Sequence, residues 1–131
     1  MTSTDYEVAR AEGATIAGAT WLDRTLPEWW RLLDLDHLDV SSEHHCVLGQ
    51  LAGPLHDVLG RARPLPGASP YAAAAYAVRT AQPYASASWN DVLGFSASTR
   101  RGCADYAALT AAWKDRVRER AVRETEHAGV A

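Results

Sequence analysis

The chain has 131 residues, 47% of them hydrophobic, and a formal net charge of −3. That length fits one domain able to bury about two thirds of its unfolded surface, and the slightly acidic balance speaks against a nucleic-acid partner, which would call for a concentrated positive field. Two cysteines, Cys46 and Cys103, without paired spacing make no disulfide framework and fit reduced thiols in a cytoplasm.

Thr4-Asp5-Tyr6-Glu7 reads as a capping box opening a helix over roughly residues 5 to 23. Val8, Ala11, Thr15, Ala19 and Leu22 recur at spacings of three and four, with Ile16 beside them, and predict one inward face. Gly13 and Gly18 weaken that helix, and the small residues at 9, 13 and 17 offer room for another backbone. Trp21 falls off the stripe and is expected in a side pocket or against a partner.

Thr25-Leu26-Pro27-Glu28 is a second capping box with proline in the first turn. Trp29, Trp30, Leu32 and Leu33 make the following short helix apolar on more than one side, which predicts a helix wedged between elements or covered by another chain. Asp34, Asp36 and Asp39 then alternate loosely with Leu35, Leu38 and Val40 in an acidic connector. Ser41 or Ser42 caps a helix expected to run to about Ala52, with His44, Val47, Leu48 and Leu51 inward and Cys46, Gly49 and Gln50 opposite. Gly53-Pro54 should end it, followed by a short turn, Leu55 to Leu59, carrying His56 and Asp57.

Residues 61–70 hold three prolines and a glycine and read as a loop. The alanine-rich stretch from Tyr71 to Gln82 favours helix, and Ser88-Trp89-Asn90-Asp91 begins a short turn ending near Gly94. In the last element, beginning near Gly102, Tyr106, Leu109, Trp113 and Val117 form a helical stripe that Arg120 and Glu124 interrupt. Beyond Val117 the helix is therefore expected to project into solvent. No run approaches the ~18 apolar residues of a membrane span, and no charged leader precedes an apolar segment, so a cytoplasmic protein with no membrane partner is expected.

The chemistry-bearing residues gather between Asp34 and His56. Glu43-His44-His45-Cys46 holds zinc-type donors, but neighbouring helical residues point about 100° apart, so a shared ion would need His37, His56 or Cys103 to arrive from elsewhere. No resident cofactor is expected otherwise. Cys46 with His45 or His56 is the one nucleophile–base pairing available, and only a helix N-terminus would lower the thiol pKa. Asp34-x-Asp36-x-x-Asp39 lacks the glycine and the bidentate glutamate of a calcium loop, and no phosphate-binding Gly-rich loop or Gly-x-Ser-x-Gly occurs.

Three segments also carry a family resemblance. They are Gly18-Ala19-x-x-Leu22-Asp23-x-x-x-Pro27-x-Trp29, Leu35-Asp36-x-Leu38-Asp39-x-Ser41-Ser42, and Cys46-Val47-Leu48-Gly49-Gln50-Leu51-x-Gly53. With Tyr106-x-x-Leu109-Thr110-x-x-Trp113 they resemble a family of small, functionally uncharacterised proteins of actinobacteria and their phages, over roughly half the chain. Members of that family often carry Cys-x-x-Cys where this chain has Glu43 and Cys46. The resemblance implies an origin and no activity.

Taken together, the sequence predicts a mainly α protein: a small single-domain bundle of four to six helices over residues 1–131, with a Pro-rich central loop and frayed ends at 1–4 and 125–131. The expected function is that of a non-enzymatic binding protein, phage-associated on the strength of the resemblance, that captures a small molecule or a host protein as a homo-oligomer. Its ligand-binding residues would be His45, Cys46, Gln50, Trp29 and Trp30. Two alternatives follow from the same residues. One is a metal- or thiol-dependent enzyme centred on His44, His45, Cys46 and His56; the other is an adaptor subunit docking through its last helix.

Overall fold

The computed structural model describes residues 3–60, 69–82, 92–95 and 106–130. Among these the chain is helical, with four α-helices, one 3-10 turn and no strand. Helix α1 spans Ser3–Thr25, α2 Val47–Leu59, α3 Pro70–Thr80 and α4 Tyr106–Val130, and the 3-10 turn is Trp29–Leu32. The helices pair as α1 with α4 and α2 with α3, while the 3-10 turn touches both α4 and α2.

On α1 the expected inward residues Ala11, Thr15, Ala19 and Leu22 are buried, whereas Val8 and Ile16 are 47% and 53% exposed. The small residue that permits a close approach is Gly18, not Gly13. A Cβ at Gly18 would lie 2.0 Å from the Leu93 carbonyl oxygen and 2.9 Å from the Trp113 ring, while one at Gly13 would meet nothing within 4 Å. Leu93–Phe95 thus crosses α1 in backbone contact. Gly94, at φ 75, turns the segment there and offers its carbonyl to Trp113 Nε1 at 2.7 Å.

The second capping box does not form. Leu26 N–H donates to Leu22 O, so α1 runs through Thr25 where a new N-cap was expected, and Glu28 enters the 3-10 turn in the left-handed region (φ 65) with no side-chain cap. The wedged position of this turn is as expected, because Trp29 is fully buried. Its Nε1 donates to Asp23 Oδ1 at 2.9 Å and its ring meets Trp113 edge-on at 5.6 Å. Trp113 stacks on Phe95 at 5.5 Å, and Phe95 meets Trp21 edge-on at 6.2 Å. This row of four rings is the core between α1 and α4, each contact adding about 0.5–1.5 kcal/mol beyond burial.

Helix α4 does not leave the body after Val117. Arg120 clamps Asp23 through Nε at 3.0 Å and a terminal nitrogen at 2.8 Å, lies 5.5 Å over the Trp29 ring, and has a side chain only 12% exposed. One turn on, Glu124 pairs with Arg31. The polar residues that break the apolar stripe therefore continue the same packed face with charge.

Helix α2 begins one turn later than its hydrophobic period suggests, with Cys46 as N-cap, and it continues through Pro54 to a left-handed Gly60 (φ 64). Pro54 removes one hydrogen bond, but Gly53 has no Cβ to collide with its ring, and Leu51, Leu55 and His56 keep the inward stripe intact. Ser69 caps α3 by accepting from Ala72 N–H at 3.1 Å, with Pro70 at its first position. Ala73, Ala74, Ala77 and Val78 are buried there, so small side chains bring α3 close to α2. Residues 61–68 of the expected Pro-rich loop and the Ser88–Asp91 turn lie outside the described residues, and Pro70, the last of that loop, opens α3 instead. No helix among the described residues is long and apolar enough to cross a membrane.

Candidate functional site

Residues 34–46 form a loop whose two ends are held together by one side chain. Gln50, one turn into α2, accepts from Asp34 N–H at 2.6 Å and donates to Asp34 O at 3.3 Å and His45 O at 2.9 Å. Both ends of its amide are thereby spent on backbone, and the loop closes in the manner of an Ω-loop. Leu38 and Val40 pin it to the core, and Val40 N–H donates to Thr110 Oγ1 on α4 at 2.9 Å. The loop packs tightly against the start of α2, where a Cβ at Gly49 would stand 2.3 Å from Glu43 O.

Within the loop Asp34 and Asp39 each organise a short turn. Asp34 Oδ1 accepts from Asp36 N–H at 3.1 Å, and Asp34 Oδ2 lies 2.6 Å from His37 Nδ1. The His37 partner holds the Asp34 carboxyl below its ordinary range, and the same hydrogen bond raises His37. Hydrogen bonds from the Ser41 hydroxyl and N–H lower Asp39. Ser42 Oγ accepts from His45 N–H and lies 3.2 Å from His45 Nδ1. Ser42 therefore caps the turn leading to α2 rather than α2 itself. The outcome is a pair of exposed imidazoles, His37 and His45, with ring centres 5.9 Å apart.

Cys46 is 1% exposed, and its Sγ accepts from Gly49 N–H at 3.2 Å, so the thiol is buried rather than placed on an outer helix face. Burial pushes its pKa up against the hydrogen bonds of the helix N-terminus. The thiolate is correspondingly scarce at neutral pH. His44 is exposed instead of inward. His56 is buried with neither ring nitrogen hydrogen-bonded among the described residues, and it sits ten residues along α2 from Cys46, about 15 Å of helix. No group of three or more His, Cys, Asp or Glu among the described residues is placed to hold a metal ion, and Cys103 lies outside them.

Beside the loop lies a cleft of about 190 Å³. Val40, Ser41, Ser42, Glu43 and Cys46 line it from the loop, with Tyr71 from the start of α3, Phe95, and Tyr106 from the start of α4. Of the five expected binding residues, Cys46 alone lines this cleft; His45 and Gln50 shape the loop. Trp29 is spent in the α1–α4 core, and Trp30 is half-buried with the Arg31 guanidinium 5.1 Å from its ring centre. None of the four described tryptophans, at 21, 29, 30 and 113, is exposed. The tyrosines of the lining escaped sequence reasoning because Tyr71 and Tyr106 belong to different helices. The one local signal was that each opens its helix.

No protein-family model matches the chain, and no curated protein or solved structure is similar to it.

Proposed function

We propose that this protein is a non-enzymatic binding protein that captures a small molecule, or a side chain presented by a partner protein, in the cleft between the 34–46 loop and the N-termini of α3 and α4. The observation that carries this reading is the lining itself, in which Tyr71, Phe95 and Tyr106 share one concave gap with Ser41, Ser42 and Glu43. Binding sites are commonly built as an apolar wall with a few convergent polar groups. At about 190 Å³ the gap is below the usual ~300–1,000 Å³ of drug-sized sites, so its occupant is of about amino-acid size. Glu43 is the one formal charge in the described lining, which favours a ligand with a donor or positive group there.

A buried, hydrogen-bonded thiol with a raised pKa supports binding over thiol catalysis. The homo-oligomer stays part of this reading, with Val8, Ile16 and Leu32, all about half exposed, among the apolar side chains an interface would cover. The motifs at Leu35–Ser42 and Cys46–Gly53 support an origin among small actinobacterial and phage proteins. An adaptor role for α4 is the second reading, and Val122, 56% exposed on that helix, is what favours it. Val122→Glu would then abolish partner association and leave the fold intact.

The test of the cleft is ligand affinity in Glu43→Ala and Tyr106→Ala, both changes at exposed side chains. Each should weaken capture about tenfold, roughly 1.4 kcal/mol. Unchanged affinity in the double variant would place the ligand elsewhere.

A further inference from the structure

The loop carries a second arrangement that the cleft does not use. His37 and His45 lie eight residues apart in sequence, and the Gln50-closed loop brings their ring centres to 5.9 Å. Both have Nδ1 turned into the loop, His37 at 2.6 Å from Asp34 Oδ2 and His45 at 3.2 Å from Ser42 Oγ. A carboxylate on Nδ1 fixes the Nδ1–H tautomer and leaves the Nε2 lone pair outward, as in metal-ligating histidines backed by an acid. The Ser42 hydroxyl can accept from Nδ1–H of His45 in the same sense. The His37 side chain is 67% exposed, and His45 is also exposed.

Distance permits a shared ion. With a nitrogen–metal bond of about 2.0–2.1 Å plus the ring's own radius, each ring centre sits about 3.2 Å from the metal, so two rings must lie within about 6.4 Å of each other. The ring centres, 5.9 Å apart with their planes 30° from parallel, fall within that limit. We propose that His37 and His45 are a two-imidazole site for a borderline divalent transition ion such as Zn2+ or Ni2+, with Asp34 as the positioning residue behind His37. Two imidazoles fill half of a tetrahedral set, and water or the same pair from a second copy fills the rest. The assignment is independent of the cleft, since neither histidine lines it.

The experiment is calorimetric titration of the full chain, without a histidine tag, with ZnCl2 and with NiCl2. The wild type should bind one saturable ion, either per chain or shared by two chains. His37→Ala and His45→Ala should each weaken binding at least about tenfold, and Asp34→Asn should weaken it about 10-fold or more by freeing the His37 ring. His44→Ala should bind as wild type. Circular dichroism and melting temperature of each variant show whether the fold has held; the two histidines are at the surface, so it should. Absence of saturable binding by the wild type, or wild-type binding by the His37→Ala/His45→Ala double variant, overturns the assignment.

Discussion

Gly13 and Gly18 provide a controlled experiment on one helix. Alanine is intrinsically favoured over glycine inside a helix by about 0.8–1 kcal/mol, and that gain applies at both positions. At Gly13 the new methyl would meet nothing within 4 Å, so the gain stands unopposed. At Gly18 it would lie 2.0 Å from the Leu93 carbonyl oxygen and about 3 Å from two atoms of the Trp113 ring. Neither neighbour is free to move, because the first is backbone and the second is fully buried with Nε1 tied to Gly94 O at 2.7 Å. Overpacking of this kind costs about 1–3 kcal/mol, and a backbone clash belongs at the upper end, leaving a net loss of about 2 kcal/mol after the propensity gain. For a chain of this length about 1 kcal/mol moves Tm by roughly 3–5 °C. Gly18→Ala should therefore lower Tm by about 6–10 °C and Gly13→Ala should raise it by about 3 °C, read by thermal circular dichroism with urea midpoints as a check. Shifts of the same sign, or a neutral Gly18→Ala, would refute the crossing of Leu93–Phe95 over α1.

Three further outcomes follow from the charges and the thiol. Asp23 is raised by burial, but hydrogen bonds from Arg120 and Trp29 and the charges of Arg120 and Arg123 outweigh this and hold it below its ordinary range. Asp23→Asn should cost about 1 kcal/mol at pH 7, kept small because the Asp23 side chain is 45% exposed. Because the folded pKa is depressed, that difference is present above the unfolded carboxylate pKa of about 3.9 and should disappear as pH falls through the folded value, as urea midpoints across pH will show. His37 should titrate above the ordinary histidine value in an NMR pH series, and Asp34→Asn should bring it back. Its pairing is complete while His37 is charged and Asp34 ionised, and is lost as pH rises through the folded His37 pKa or falls through that of Asp34. The Cys46 thiol should be alkylated far more slowly in native protein than in urea, followed by peptide mass spectrometry in a Cys103→Ser background, and Cys46→Ala should cost about 1 kcal/mol through the lost cap and the space left. Alkylation at equal rates in both states would contradict the buried N-cap.

The helical class was readable because Ala11, Thr15, Ala19 and Leu22 on α1, and Leu109, Trp113 and Val117 on α4, keep the period of a buried face. Boundaries were less readable where competing caps are equally plausible. Ser41-Ser42 is a better cap by residue type than Cys46, yet the loop spends Ser42 on His45 N–H, leaving a thiol to accept from Gly49 N–H. Trp29 was readable as a wedged or covered residue and Trp113 as part of an inward stripe, but neither reading supplied a partner for the indole N–H. Those partners are Asp23 and the Gly94 carbonyl, the second nineteen residues away and without a sequence signal. The Arg120–Asp23 clamp spans ninety-seven residues, so Arg120 read as a break in the stripe when it closes the core. The candidate site was half legible. The loop residues of its lining, Val40 to Glu43 and Cys46, are close in sequence, whereas Tyr71, Phe95 and Tyr106 converge only through the pairing of the helices.

The central claim is that the cleft receives a ligand. The most direct measurement is a set of 1H–15N NMR spectra of the labelled chain before and after addition of the low-molecular-weight fraction of a bacterial extract. The account predicts saturable shifts confined to Ser41–Glu43, Cys46, Tyr71, Phe95 and Tyr106, removed in Glu43→Ala/Tyr106→Ala. Unmoved signals at those residues, or shifts centred on another surface, would contradict it.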